Sequence, residues 1–221
     1  MAHRSEIFNA ISATENSQSR LRDLLEIYLV FGLLLSAIWT PIGATNTFFV
    51  LSAAVCVLFF TVRGRWAAPE MGLTQARSGA SAIFLAGAAC CGLTALVGIA
   101  LKSVGPGYHV PRLESLAYVV WSLGQEFILQ SVFFLRFESL MGPRRAVVAS
   151  ASLFAVAHLP SPLLTVLSLV GGMLFCVLFR RYRNLYALGL IHGALGLTIA
   201  ASFPDKWLHH MRVGVGYLAI H

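Results

Sequence analysis

The chain has 221 residues, of which 57% are hydrophobic and only 11% charged, with a mean hydropathy of +0.76. A soluble domain of this length carries roughly 25% charged residues to hydrate its surface, so a water-soluble globule is excluded and lipid is the solvent for most side chains. The net charge of +7 admits nucleic acid or a membrane surface as partner, and the placement of the charges decides between them.

The first 22 residues are polar, and the apolar run that follows outlasts a signal-peptide h-region, so no cleavable signal is expected. A helix crossing the hydrocarbon core needs about 20 mostly apolar residues. Stretches near 24–40, 45–62, 80–101, 115–137, 145–159, 161–179 and 185–203 meet that need, the fifth only marginally. Between the second and third, Arg63–Gly79 is polar and broken by Pro69, Gly72 and Gly79, which predicts an interfacial loop or a short amphipathic helix. Lys102–Arg112, with Gly105, Pro106, Gly107 and Pro111, reads as a loop. Pro160 and Pro162 predict a tight turn between the fifth and sixth runs, because proline lacks the donor that continues a helix. The four cysteines, Cys56, Cys90, Cys91 and Cys176, lie in apolar runs without metal-ligand spacing and read as packing residues. The fold class is therefore all-α, a polytopic transmembrane bundle of about seven spans. Residues 1–22 form a cytoplasmic N-terminal segment, 23–204 the bundle and 205–221 a C-terminal tail.

Charge placement orients this bundle. Arg4, Arg20, Arg22, Arg63, Arg65, Arg77, Arg136, Arg144, Arg145, Arg180, Arg181 and Arg183 fall on one side of a seven-span arrangement, and only Lys102, Arg112, Lys206 and Arg212 on the other. Positive charge is retained on the cytoplasmic side during insertion, so the N-terminus is expected in the cytoplasm and the C-terminus outside. Attraction to anionic lipid accounts for the basic balance without nucleic acid.

An ionisable group at membrane depth costs several kcal/mol and marks a candidate functional site. Most of the acids sit at or beyond span ends, and Glu26 lies one turn inside the first span, within reach of the interface. Glu126 is near the middle of the fourth. Ser122, Glu126 and Gln130 are spaced four apart and share one helix face, with Gln125 beside it. Such a stripe must face the bundle interior. His158 ends the fifth span, four residues after Phe154. His192 sits in the seventh, among Gly189, Gly193 and Gly196, small residues that admit a neighbouring helix. The other histidines, His3, His109, His209, His210 and His221, read as solvated loop or tail residues. A desolvated carboxylate with a histidine around a trapped water is a general-base arrangement, and a second histidine opposite can donate to an oxyanion. The same trio suits zinc with an open position, but HExxH is absent, and so is GxSxG.

In order, Gln125-Glu126-x-x-x-Gln130, Phe154-x-x-x-His158 and His192-x-x-x-Gly196 resemble the EExxxR, FxxxH and HxxxN motifs of the CAAX-protease and bacteriocin-processing (CPBP, or ABI) family of intramembrane proteases. The likeness covers about residues 115–200. It implies a glutamate-dependent endopeptidase that needs no metal or other cofactor. Its substrate is a membrane-anchored or lipidated polypeptide, in a bacterial inner (plasma) membrane. Carried over, Glu126 and His158 activate water and His192 stabilises the oxyanion, with Gln125, Gln130, Phe154 and Gly196 in support. The sequence departs from the pattern at Gln125, Gln130 and Gly196. Either Glu126 takes over as base, with Gln125 orienting the water, or catalysis is lost. The alternatives are a catalytically impaired scaffold or immunity protein of the same family, and a proton-coupled carrier in which Glu126 relays protons.

Overall fold

A computed structural model describes the backbone of residues 2–103 and 112–219 and the side chains of residues 17–103 and 114–219. The centre of the expected loop at 102–112, with His109, lies outside the described residues. So do His221 and the side chains of His3, Arg4, Glu6, Glu15 and Arg112.

The described chain is all-α. Its long helices are α1 (Ala2–Ile38), α2 (Ala44–Val62), α3 (Ala80–Ala100), α4 (Arg112–Glu126), α5 (Leu135–Met141), α6 (Pro143–Val156), α7 (Pro162–Tyr182) and α8 (Leu185–Ser202). Two short helices follow, α9 (Asp205–Leu208) and α10 (Gly214–Leu218). A π-helical stretch, Phe127–Phe134, joins α4 to α5 in one continuous rod.

Five stretches among the described residues are long and apolar enough to cross a membrane: 44–62, 80–100, 114–141, 162–182 and 185–202. The two remaining expected runs form helices but do not meet that standard, for different reasons. The apolar part of α1 shares its helix with Arg22, Asp23 and Glu26. The 14 residues of α6 reach only about 21 Å, short of a hydrocarbon core of about 30 Å. Membrane embedding is also visible in the outward faces. Leu51, Val55 and Leu58 of α2 and Leu85, Leu93 and Leu96 of α3 are all more than half exposed. On α8, by contrast, 61% of the span is buried, against 6% on α2. The protein is an integral membrane bundle with α8 near its centre and α2 and α3 at its rim.

Local chemistry sets the helix boundaries. Pro143 and Pro162 open α6 and α7, where a missing N–H costs nothing and the fixed φ suits a first turn. The turn at Ala157–Pro160 separates these two helices, as the prolines predict. Asn184 caps α8, its side chain accepting from the Ala187 N–H at 3.1 Å, which satisfies one of the free donors at a helix start.

The segment 63–79 is the loop alternative of the two expected there, but it is tied into the bundle. The Ser131 hydroxyl donates to Met71 O at 2.9 Å, the Tyr186 hydroxyl to Leu73 O at 3.0 Å, and the Asn184 amide to Ala76 O at 2.8 Å. Gly72 turns with φ +76°, and a Cβ there would stand 2.8 Å from the Phe179 ring. Both the left-handed turn and the close contact need glycine.

Beneath this loop lies a buried charge cluster. Arg136 is 1% exposed and Glu26 5%. The Arg136 Nε donates to Glu26 Oε2 at 2.7 Å, and Arg22 Nε donates to Glu26 Oε1 at 2.8 Å. Arg136 Nη1 donates to Val132 O at 2.8 Å, and its guanidinium lies 4.7 Å from the Trp66 ring centroid. Beside it Arg65 bridges Asp23 and Ser139. Arg183 pairs with Glu138 at 2.6 Å. These contacts hold the interior of α1 to the ends of α2, α5 and α7 at one pole of the bundle. The opposite pole is closed by Ser103 donating to Ser202 O at 2.8 Å and by Gly214 N–H donating to Leu159 O at 2.8 Å.

Candidate functional site

The polar stripe on α4 faces inward, as its spacing requires. Ser122, Glu126 and Gln130 are each wholly buried. Glu126 ends the α-helical turn, and the π stretch begins at the next residue. A π segment replaces i→i+4 hydrogen bonds by i→i+5 and often marks a functional site.

The glycines of α8 bring this stripe into contact with His192. A Cβ on Gly189 would stand 2.3 Å from the Leu123 side chain, and one on Gly193 3.0 Å from that of Val119. Helices α4 and α8 therefore pack at a distance that only small residues allow. At this contact His192 Nδ1 lies 3.0 Å from Glu126 Oε1, and Gln130 Nε2 donates to Glu126 Oε2 at 3.0 Å. Both carboxylate oxygens are thereby engaged. The His192 ring stacks on Phe175, with centroids 5.4 Å apart at 29°, and meets Phe154 edge-on at 5.7 Å.

His158 packs against Phe154, with ring centroids 4.7 Å apart. Its Nδ1 lies 2.7 Å from Phe154 O. That carbonyl can only accept, so Nδ1 carries the proton and Nε2 has a free lone pair. Phe154 thus touches both imidazoles.

These groups border a largely apolar cavity of about 230 Å³. Gln125, His158, His192 and Gly196 contribute to its wall, together with Tyr118. Phe31 and Leu34 of α1 close another side, and Met211 and Val213 of the C-terminal segment lie at the pole away from the arginine cluster. Glu126 does not reach the cavity. Its carboxylate lies behind the wall, turned to His192 and Gln130. Among the described residues no three His, Cys, Asp or Glu side chains converge as a metal ion would require, so Glu126, His158 and His192 do not form the zinc set their types allow. The structure therefore brings Gln125, Phe154, His158, His192 and Gly196 to one cavity and places Glu126 and Gln130 in support of His192.

Residues 113–198 match the family model for type II CAAX prenyl endopeptidase Rce1-like proteins. The match covers 86 of the 221 residues and is a likeness of this segment to Rce1-like proteins. It spans the three motifs, in agreement with the resemblance read from them. No curated protein and no solved structure matches the chain significantly. The Rce1-like match supports a CAAX-type intramembrane endopeptidase function in general terms, and with it a membrane-anchored class of substrate.

Tyr118 is among the cavity residues that escape a reading of the sequence. Tyr118 lies one turn before Ser122, so the stripe runs 118, 122, 126, 130 at steps of four. An aromatic side chain in an apolar run looks like lipid-facing or core packing, and the step of four is the signal that extends the polar face to it.

Proposed function

We propose that the protein hydrolyses a peptide bond in membrane-anchored or lipidated polypeptides, with His158 activating water and His192 stabilising the oxyanion. The observation that carries this reading is the 3.0 Å contact of Glu126 with His192, set directly behind a cavity whose wall also holds His158.

Each step uses a group already oriented. Water in the cavity lies against His158 Nε2 and the Gln125 amide. Its oxygen attacks the scissile carbonyl carbon, its proton passes to Nε2, and the carbonyl electrons move onto oxygen. His192, held through Nδ1 by Glu126, presents Nε2 to that oxygen. An Nε2–H at that point serves as the hydrogen-bond donor to the developing oxyanion. Collapse of the intermediate breaks the C–N bond, and the leaving amine takes the proton from His158. Glu126 works in this scheme by positioning His192, because its carboxylate does not face the water. The predominance of arginine at one pole supports a cytoplasmic position for that pole and the N-terminus. The cavity then opens toward the outer face of what the family likeness suggests is a bacterial inner membrane.

The decisive experiment reconstitutes the purified protein in lipid vesicles with a fluorogenic peptide ending in a farnesylated Cys-aliphatic-aliphatic-X sequence. Cleavage at a single bond that disappears in His158→Ala supports the proposal. Gln125 favours a second reading, a binding member without catalysis, because an amide in the cavity wall cannot take up the proton of a water. Saturable retention of the intact peptide, with no cleavage by the parent, selects that reading.

A further inference from the structure

We infer that Tyr118 supplies the second oxyanion donor, its hydroxyl taking the place that a side chain at position 196 would occupy. The inference rests on the hydrolytic reading above and names a residue that none of the three motifs contains. A Cβ built on Gly196 would fall 2.1 Å from Tyr118 Oη, 2.6 Å from Cε1 and 2.7 Å from Cζ. The space above Gly196 is therefore filled, and what fills it is the polar end of a phenol brought in from α4. Tyr118, Gly196 and His192 all border the same cavity. His192 and Gly196 are four residues apart on α8, about 6 Å along the helix, so the Tyr118 hydroxyl lies one turn from the imidazole on the same wall. A phenolic O–H donates a hydrogen bond without carrying charge at neutral pH. It is also one of the side chains able to stabilise a developing oxyanion. The glycine and the tyrosine are thus one device. Position 196 gives up its side chain so that position 118 can reach the cavity.

The test measures cleavage of the farnesylated peptide in vesicles by the parent, by Tyr118→Phe, and by the double variant Tyr118→Ala with Gly196→Asn. Loss of one oxyanion donor lowers kcat by about 10²–10³ with little change in KM. Tyr118→Phe keeps the ring and its packing, so that split separates donation from structure. In the double variant an amide enters the vacated space from α8 and recovers at least tenfold of the loss over Tyr118→Ala alone. A phosphinate analogue of the scissile bond should bind Tyr118→Phe more weakly by the same factor, with binding of the uncleaved peptide unchanged. If Tyr118→Phe turns over at the parent rate, the inference is overturned and the hydrolytic reading stands. A parent that cleaves nothing overturns both.

Discussion

Three carboxylates are buried among the described residues, Asp23, Glu26 and Glu126, and the partners of the two glutamates differ in kind. Glu26 faces the guanidinium of Arg136, with a second arginine on its other oxygen. Glu126 faces an imidazole and an amide. A guanidinium stays charged at every accessible pH, so the first pair is a fixed tie between α1 and α5. An imidazole can gain or lose a proton near neutrality, so the second pair can take part in chemistry. Glu26 borders a pocket shared with Arg22 and Arg63, whereas Glu126 stands behind the wall of the cavity that holds His158 and His192. Burial of an acid in a membrane bundle is thus no sufficient sign of catalysis, and the chemistry of its partner is what tells the two glutamates apart.

That contrast can be broken at several points. The largest effect is expected at His158. His158→Ala should lower turnover of the vesicle-bound peptide by about 10²–10⁴, with thermal stability in detergent close to that of the parent. Arg136→Leu should do the reverse at the other acid. It strands Glu26 without its buried partner and should cost about 3–5 kcal/mol in a denaturant titration. Replacing both Glu26 and Arg136 by leucine should regain most of that loss. Glu126→Gln sharpens the comparison further. It keeps a hydrogen-bonding atom near His192 but removes the charge, an interaction of about 1.5–3 kcal/mol. Turnover should fall by roughly one to two orders of magnitude while the unfolding midpoint moves little. If Glu126→Gln unfolds the protein as Arg136→Leu does, the distinction between the two acids fails. The smallest effect belongs to neither pair. Asn184→Ala removes the α8 cap and should cost about 1 kcal/mol, visible in the melting temperature.

Much of this arrangement is legible in the chain. The step of four on α4 turns Ser122, Glu126 and Gln130 inward. The glycines of α8 announce a close helix contact, and the prolines mark the turn before α7. What escapes depends on distance along the sequence. Glu26 and Arg136 are 110 residues apart, and nothing local to either reveals the other. Arg136 reads as one more arginine at a span end, when it is among the most buried side chains of the molecule. The Tyr118 hydroxyl is hidden similarly, because a glycine at 196 looks like an absence until the helix opposite is seen to fill it. Glu126 is legible as a buried acid, but its direction is not. Adjacent positions on a helix differ by about 100°, and that rotation puts Gln125 on the cavity and Glu126 behind it.

The placement of Phe154 has a consequence for how the two imidazoles can vary. A rigid hydrocarbon ring touches each of them, so it is a shared gauge of their positions beside their polar contacts. Solvent composition and protonation leave such a gauge unchanged. A smaller side chain at 154 would remove it and let both heterocycles drift, while every hydrogen-bonding group of the site stayed in the sequence.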